Sequence, residues 1–213
     1  LQEGWLIGQG FNPGVLYRTG DGGDSWTPVP DFLGAYVAVD AEGANVWALN
    51  VTGRFYRSTD NGTTWIEGNL PGSPLQMQDM DFYDENIGYA VGWWGKAFRS
   101  TDGGLNWQIL PPPNQDDKFS GIYLVGPDEF WLSTYNNAAY YSANGGLGWS
   151  VMETGSNGFG AFAAIAANPA GDAWMVGDNG SVEHFNGPPP PPLNQPPTAA
   201  FEYTADGMTV NFT

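Results

Sequence analysis

Ser58-Thr-Asp60-Asn-Gly62-Thr-Thr-Trp65 is one of four copies of a single phrase. Thr19-Gly-Asp21-Gly-Gly23-Asp-Ser-Trp26 precedes it. Ser100-Thr-Asp102-Gly-Gly104-Leu-Asn-Trp107 and Ser142-Ala-Asn144-Gly-Gly146-Leu-Gly-Trp149 follow it. The Trp-to-Trp intervals are 39, 42 and 42 residues. Each residue type has a physical use. Asp or Asn bonds its own backbone two residues on and builds a tight turn. The fixed glycine accepts a positive φ that other residues adopt at a steric cost. The Trp opens the next strand and is expected to bury a large apolar surface against its neighbour. Asp21, Asp60 and Asp102 therefore read as turn makers. Each turn offers a single carboxylate, whereas a calcium loop needs about six or more oxygen ligands.

A second ladder runs in phase with the first. Trp5, Trp47, Tyr89, Trp131 and Trp174 lie 42, 42, 42 and 43 residues apart. Each sits in an alternating or apolar run, such as Val46-Trp-Ala-Leu and Phe130-Trp-Leu, which reads as a strand half buried on both faces. A period near 40 residues with four strand-like runs per unit is the signature of a β-propeller. The expected fold is all-β: four-stranded antiparallel blades, about five blade units, the first lacking its inner strand and the last its outer one. The propeller covers residues 1–186. The run Gly4-Trp-Leu-Ile already lies inside a strand pattern, which implies a part upstream.

The phrase S/T-x-D-x-G-x-x-W resembles the Asp-box, or bacterial neuraminidase repeat. That repeat occurs in propellers of sialidases, sortilins, xyloglucan-cleaving hydrolases and photosystem II assembly factors. Asp81-Phe-Tyr-Asp-Glu-Asn-Ile-Gly-Tyr-Ala-Val-Gly92 with Gly95-Lys-Ala-Phe-Arg-Ser100 is similar to blades of the last group and its secreted relatives. Residues 187–197, with five prolines at 188–192, read as a stiff polyproline spacer. The stretch Asn194-Gln-Pro-Pro-Thr-Ala-Ala-Phe201 resembles the opening of a PKD domain, an Ig-like sandwich of secreted proteins. Residues 198–213 are the first strands of such a domain, or a tail that donates strands to a neighbouring copy.

Six basic residues stand against 23 acidic ones, a formal charge of −17. This balance excludes the clustered Lys and Arg that nucleic acids require and disfavours anionic membranes. No apolar run reaches the roughly 18 residues of a membrane span. Cysteine is absent, which removes disulfides and thiolate metal sites. No metal or cofactor is expected.

A sialidase grips its substrate carboxylate with three arginines. Here Arg18, Arg57 and Arg99 each directly precede the repeat phrase, which leaves Arg54 alone. Asp79 and Asp81 alternate on an inner strand and share one face, but nothing in the spacing singles out a catalytic pair. His184 has no Ser or Cys partner pattern. No catalytic residue is assigned. The candidate ligand- or partner-binding residues are aromatics in turns on the rim opposite the repeat phrases: Phe11, Trp93, Trp94 and Tyr135. Trp93 and Trp94 are the two tryptophans that belong to neither ladder. The reading is a secreted or cell-surface module that binds protein or glycan or serves as a scaffold. Two alternatives stand beside it: part of a xyloglucanase-type hydrolase, and a filament subunit that exchanges terminal strands.

Overall fold

The computed structural model describes residues 3–8, 14–72, 75–136, 138–152, 161–168 and 170–187, without the side chains of Asp31, Leu33 and Asn179. Phe11, the spacer beyond Gly187 and residues 198–213 lie outside the described residues.

Five antiparallel sheets follow one another along the chain. The first contains β1 (Gly4–Gly8), β2 (Gly14–Thr19) and β3 (Thr27–Gly34). The second holds β4 (Tyr36–Glu42), β5 (Asn45–Asn50), β6 (Arg54–Ser58) and β7 (Ile66–Asn69). The third holds β8 (Met77–Phe82), β9 (Gly88–Gly92), β10 (Ala97–Ser100) and β11 (Gln108–Ile109). The fourth holds β12 (Phe119–Leu124), β13 (Phe130–Thr134), β14 (Ala139–Ser142) and β15 (Ser150–Met152). The fifth contains β16 (Phe162–Ala167), β17 (Ala173–Gly177) and β18 (Val182–Phe185), with one 3-10 turn at Asp178–Gly180. The first strands of successive sheets, β4, β8, β12 and β16, pack on one another in order, and β1 packs on β4. This is a propeller-like succession of blades, with three-stranded sheets first and last among the described residues.

The core lies between blades. Trp47, Leu49 and Phe55 of the second sheet meet Met80, Phe82 and Phe98 of the third. Tyr89 and Val91 meet Ile122, Phe130 and Leu132 across the next junction, and Trp131 and Tyr141 meet Phe162, Met175 and Phe185 across the one after. A strand flanked by two sheets has no solvent face, so β9 and β13 are buried along their whole length.

The four repeat phrases form one turn geometry. The hydroxyl of Ser58 accepts from Gly62 N–H at 2.8 Å and donates to Asp60 Oδ1 at 2.8 Å. Oδ1 then accepts from Thr64 N–H at 2.8 Å, and Oδ2 from the Thr64 hydroxyl at 2.6 Å. Thr19 with Asp21 and Ser100 with Asp102 repeat this pattern, with Ser25 and Asn106 as the far donors. In the fourth copy Asn144 Oδ1 still accepts from Gly148 N–H at 2.8 Å, and Gly148 has no side-chain donor. Amide and missing donor match: where the second carboxylate oxygen is gone, so is the group that would bond it. The Thr64 hydroxyl and then its backbone N–H hold the Asp60 pKa down, to about 2. Asp60→Asn together with Thr64→Gly copies the fourth turn. It is expected to fold with unchanged blade contacts and a small drop in melting temperature, whereas Ser58→Ala removes the donor to Asp60 and an acceptor for Gly62 and should cost more.

In the second to fourth blades the two aromatic ladders exchange the burial expected of them, whereas Trp5 is partly buried and Trp174 exposed. Trp47, Tyr89 and Trp131 of the second-strand ladder are fully buried. The turn-end residues Trp65, Trp107 and Trp149 are only partly buried, and Trp26 is exposed. Trp65 packs on Phe32 and Trp5 of the preceding blade, at centroid distances of 4.5 and 5.9 Å. Its indole N–H, however, returns to Gly62 O of its own turn at 3.1 Å. The second-strand aromatics reach forward instead. Trp5 lies where a Cβ on Gly62 would stand, with 2.1 Å separating the two. Trp47 Nε1 donates to Gly103 O at 2.9 Å, and the Tyr89 hydroxyl to Pro127 O at 2.9 Å. Trp131 stacks on Phe185, and its buried Nε1 has no partner among the described residues.

Candidate functional site

The aromatic rim is assembled from turns at the end of the blades opposite the repeat turns. Trp93, Trp94 and Gly95 connect β9 to β10. Trp94 and Gly95 have φ of 60° and 65°, and Gly92 N–H bonds Lys96 O at 2.9 Å. Two successive residues at positive φ make the hairpin turn that favours Asn-Gly. Tryptophan at the first of these places carries backbone strain of about 1–3 kcal/mol. The indole it displays is half exposed.

The sequence-predicted residues within the described part come together. Trp93 makes edge contacts with Trp94 at 5.9 Å and with Tyr135 at 6.3 Å. The Tyr135 hydroxyl donates to Gln78 Oε1 at 3.3 Å. Backbone bonds fix the row: Trp93 N–H to Gln76 O, Gly95 N–H to Asp117 O and Tyr135 N–H to Lys118 O, at 3.0, 2.9 and 2.8 Å. Behind it the buried Asp117 carboxylate accepts from the Tyr140 hydroxyl, from Asn136 Nδ2 at 3.2 Å and from Asn114 Nδ2 at 3.4 Å. These bonds tie the 114–118 loop, the Tyr135 turn and β14 into one support.

Two residues of the rim were missed in the sequence. Lys96 Nζ stands 4.8 Å from the Trp94 ring centre, and Lys118 Nζ 4.7 Å from that of Trp93. They are the only lysines of the chain. Lys96 follows the tryptophans closely, but Lys118 reaches them only through the fold. The row joins two hollows. Trp94 borders an apolar groove of about 750 Å³ with Leu75, Lys96, Ile109 and Pro112. Tyr135 borders a polar one of about 300 Å³ with Gln78, Asp79 and Ser120.

The inner-strand carboxylates are cross-blade connectors. Asp40 Oδ2 accepts from Phe82 N–H at 2.7 Å, Asp79 Oδ2 from Ile122 N–H at 2.9 Å, and Asp81 Oδ2 from Leu124 N–H at 2.7 Å. Asp79 and Asp81 share a face, as their alternation implies, and they join neighbouring sheets. Asp79 Oδ1 also accepts from Met80 N–H, so both its oxygens are taken. Burial pushes Asp79 and Asp81 up to about 6 and 7 against the pull of these bonds, and the Asp40 charge adds to the rise. An acid whose folded pKa lies above its unfolded value of about 4 opposes folding as it ionises. Thermal stability is therefore expected to rise as pH falls from 7 towards 4, then to drop towards pH 2 as the Asp60-type turns protonate. Asp81→Asn should flatten the upper limb in melting curves across this range.

The remaining side chains considered in the sequence make contacts within the protein. His184 stacks on Trp174 at 4.7 Å. Arg18, Arg54 and Arg99 pair with Glu3, Glu67 and Asp128, while Arg57 bonds Asp102 O. Three of these arginines flank the repeat turns as expected. Among the described residues no three His, Asp or Glu side chains gather closely enough to hold a metal ion. No helix there is long and apolar enough to cross a membrane.

No protein-family model matches the chain, and no curated protein matches it. Solved structures do. A GH74 enzyme of Niastella koreensis superimposes with a TM-score of 0.64 at 12% identity, over 82% of this chain and 32% of that one. A GH74 xyloglucanase from Xanthomonas campestris gives 0.61 at 14% identity, over 81% and 33%. Virginiamycin B lyase from Staphylococcus aureus gives 0.56 at 15% identity, over 81% and 66%. The fold is propeller-like. The chain spans about a third of the length of the GH74 enzymes it matches.

Proposed function

We propose that this chain is a non-catalytic binding module of a secreted or cell-surface protein, and that its ligand docks on the Trp94–Trp93–Tyr135 rim. The observation that carries the reading is Trp94. A large aromatic held at positive φ in a turn that favours Asn is strain retained for display. The rim's aromatic faces suit a glycan or a protein partner. The inner-strand carboxylates Asp40, Asp79 and Asp81 are engaged by main-chain N–H groups, which weighs against the hydrolase reading.

Trp94→Asn tests the proposal, because strain and binding move in opposite directions. The variant is expected to melt at a higher temperature than the parent and to lose retention on a glycan or protein array. Trp93→Ala should lose retention without the gain in stability. A parent protein that binds nothing on such arrays, or a Trp94→Asn variant that binds as the parent does, overturns it. Release of reducing sugar from xyloglucan by the parent, abolished in Asp79→Asn, would restore the hydrolase reading.

A further inference from the structure

We infer that the rim ligand is a carboxylated polysaccharide, laid from the groove beside Trp94 across Trp93 to the hollow beside Tyr135. This rests on the rim being the binding site, and it adds the chemistry of what binds.

The first support is the placing of the cations. The chain has 23 acidic residues, yet neither lysine has a carboxylate within ion-pair distance among the described residues. Lys96 Nζ donates to Leu75 O at 3.0 Å and lies over Trp94, and Lys118 lies over Trp93. An ammonium group held over an indole keeps its charge and leaves N–H donors for an incoming anion. Three of the four arginines, by contrast, are already paired with carboxylates. Of the nearby acids, none is paired with a lysine among the described residues, and Asp79 in the hollow beside Tyr135 has both oxygens bonded to main-chain N–H groups. Asp117 is buried under Tyr140, Asn136 and Asn114, and Asp116 borders the outer groove. At physiological salt the screening length is about 8 Å, so a ligand on the rim is shielded from the acidic turns at the far end of the blades.

The second support is the shape and the type of surface. Three aromatic rings form a row with a hollow at each end, a track for a linear ligand. The backbone N–H groups of Gly92, Trp93, Gly95 and Tyr135 are already bonded within the protein. A peptide that binds by strand addition would look for a free main-chain ladder, and these turns do not offer one. They offer the exposed rings of Trp94 and Tyr135, side-chain amides such as Gln115, and two ammonium groups. Sugar rings with carboxylates use that set: the C–H face on the indoles, the carboxylate on the lysines.

The test is affinity electrophoresis of the parent in gels containing polygalacturonate, alginate, neutral xyloglucan or poly-glutamate. Retardation is expected in the first two, weaker in xyloglucan and absent in poly-glutamate. Lys96→Gln with Lys118→Gln should weaken uronate binding roughly tenfold or more, Lys→Arg at both positions should keep most of it, and melting temperatures should report intact folds. Equal retardation by neutral and acidic polymers, unchanged in the lysine variants, overturns the carboxylate inference and leaves the rim reading standing. Poly-glutamate binding as strong as uronate binding overturns the polysaccharide in favour of an acidic protein. If Trp94→Asn leaves uronate retardation intact, both readings fall.

Discussion

Trp47→Ala is expected to lower stability by about 3–5 kcal/mol, the range for deleting a large aromatic from a packed interior. The residue is fully buried between the second and third blades. Its indole stacks on Phe82 with centroids 3.9 Å apart and planes 3° from parallel. Its N–H satisfies Gly103 O in the following turn. Truncation removes the stack and leaves a carbonyl unpaired. Trp47→Phe separates these losses, since it keeps a ring and drops the hydrogen bond. It should cost about 1–2 kcal/mol. Urea denaturation gives both values, and equal midpoints for Ala and Phe would show that the stack contributes little.

Gly104→Ala is expected to cost about 2–4 kcal/mol, from overpacking and an unfavourable backbone together. Its φ is 90°, and a Cβ there would stand 2.2 Å from Phe55 Cζ. The Phe55 ring has no room to retreat, because Trp107 and Phe82 pack against it at 5.2 and 6.3 Å. Gly72→Ala is the control. Its φ is 76°, but a Cβ there meets nothing within 4 Å, so only the conformational part should appear. Equal losses at the two sites would mean that the approach of Phe55 to the turn adds nothing.

The strand order and the repeat turns could be read in the sequence because both are local. A turn bonded between residues two and four apart is complete within its own phrase, and the 42-residue ladder marks each second strand. The burial of the two ladders could not be read so well. Trp65 and Trp47 are the same residue type, and contacts with adjacent blades decide which indole is fully enclosed. The same limit applied to Asp79 and Asp81, whose N–H partners lie 43 residues further on. The rim was half legible. Trp93 and Trp94 stood out as tryptophans outside both ladders. Lys118 did not, because it belongs to another blade.

The forward reach of Trp5, Trp47 and Tyr89 into the following turn gives the structure a polarity that matters for engineering. Each blade supplies a key and the next blade supplies the lock. Removing a blade from the carboxyl side of such a pair strands a large aromatic in water and invites aggregation. Removing one from the amino side leaves only an empty notch over a glycine. Circular permutants and grafted arrays cut from this scaffold should therefore keep the turn that receives each aromatic, and can more safely give up the aromatic that fills a turn.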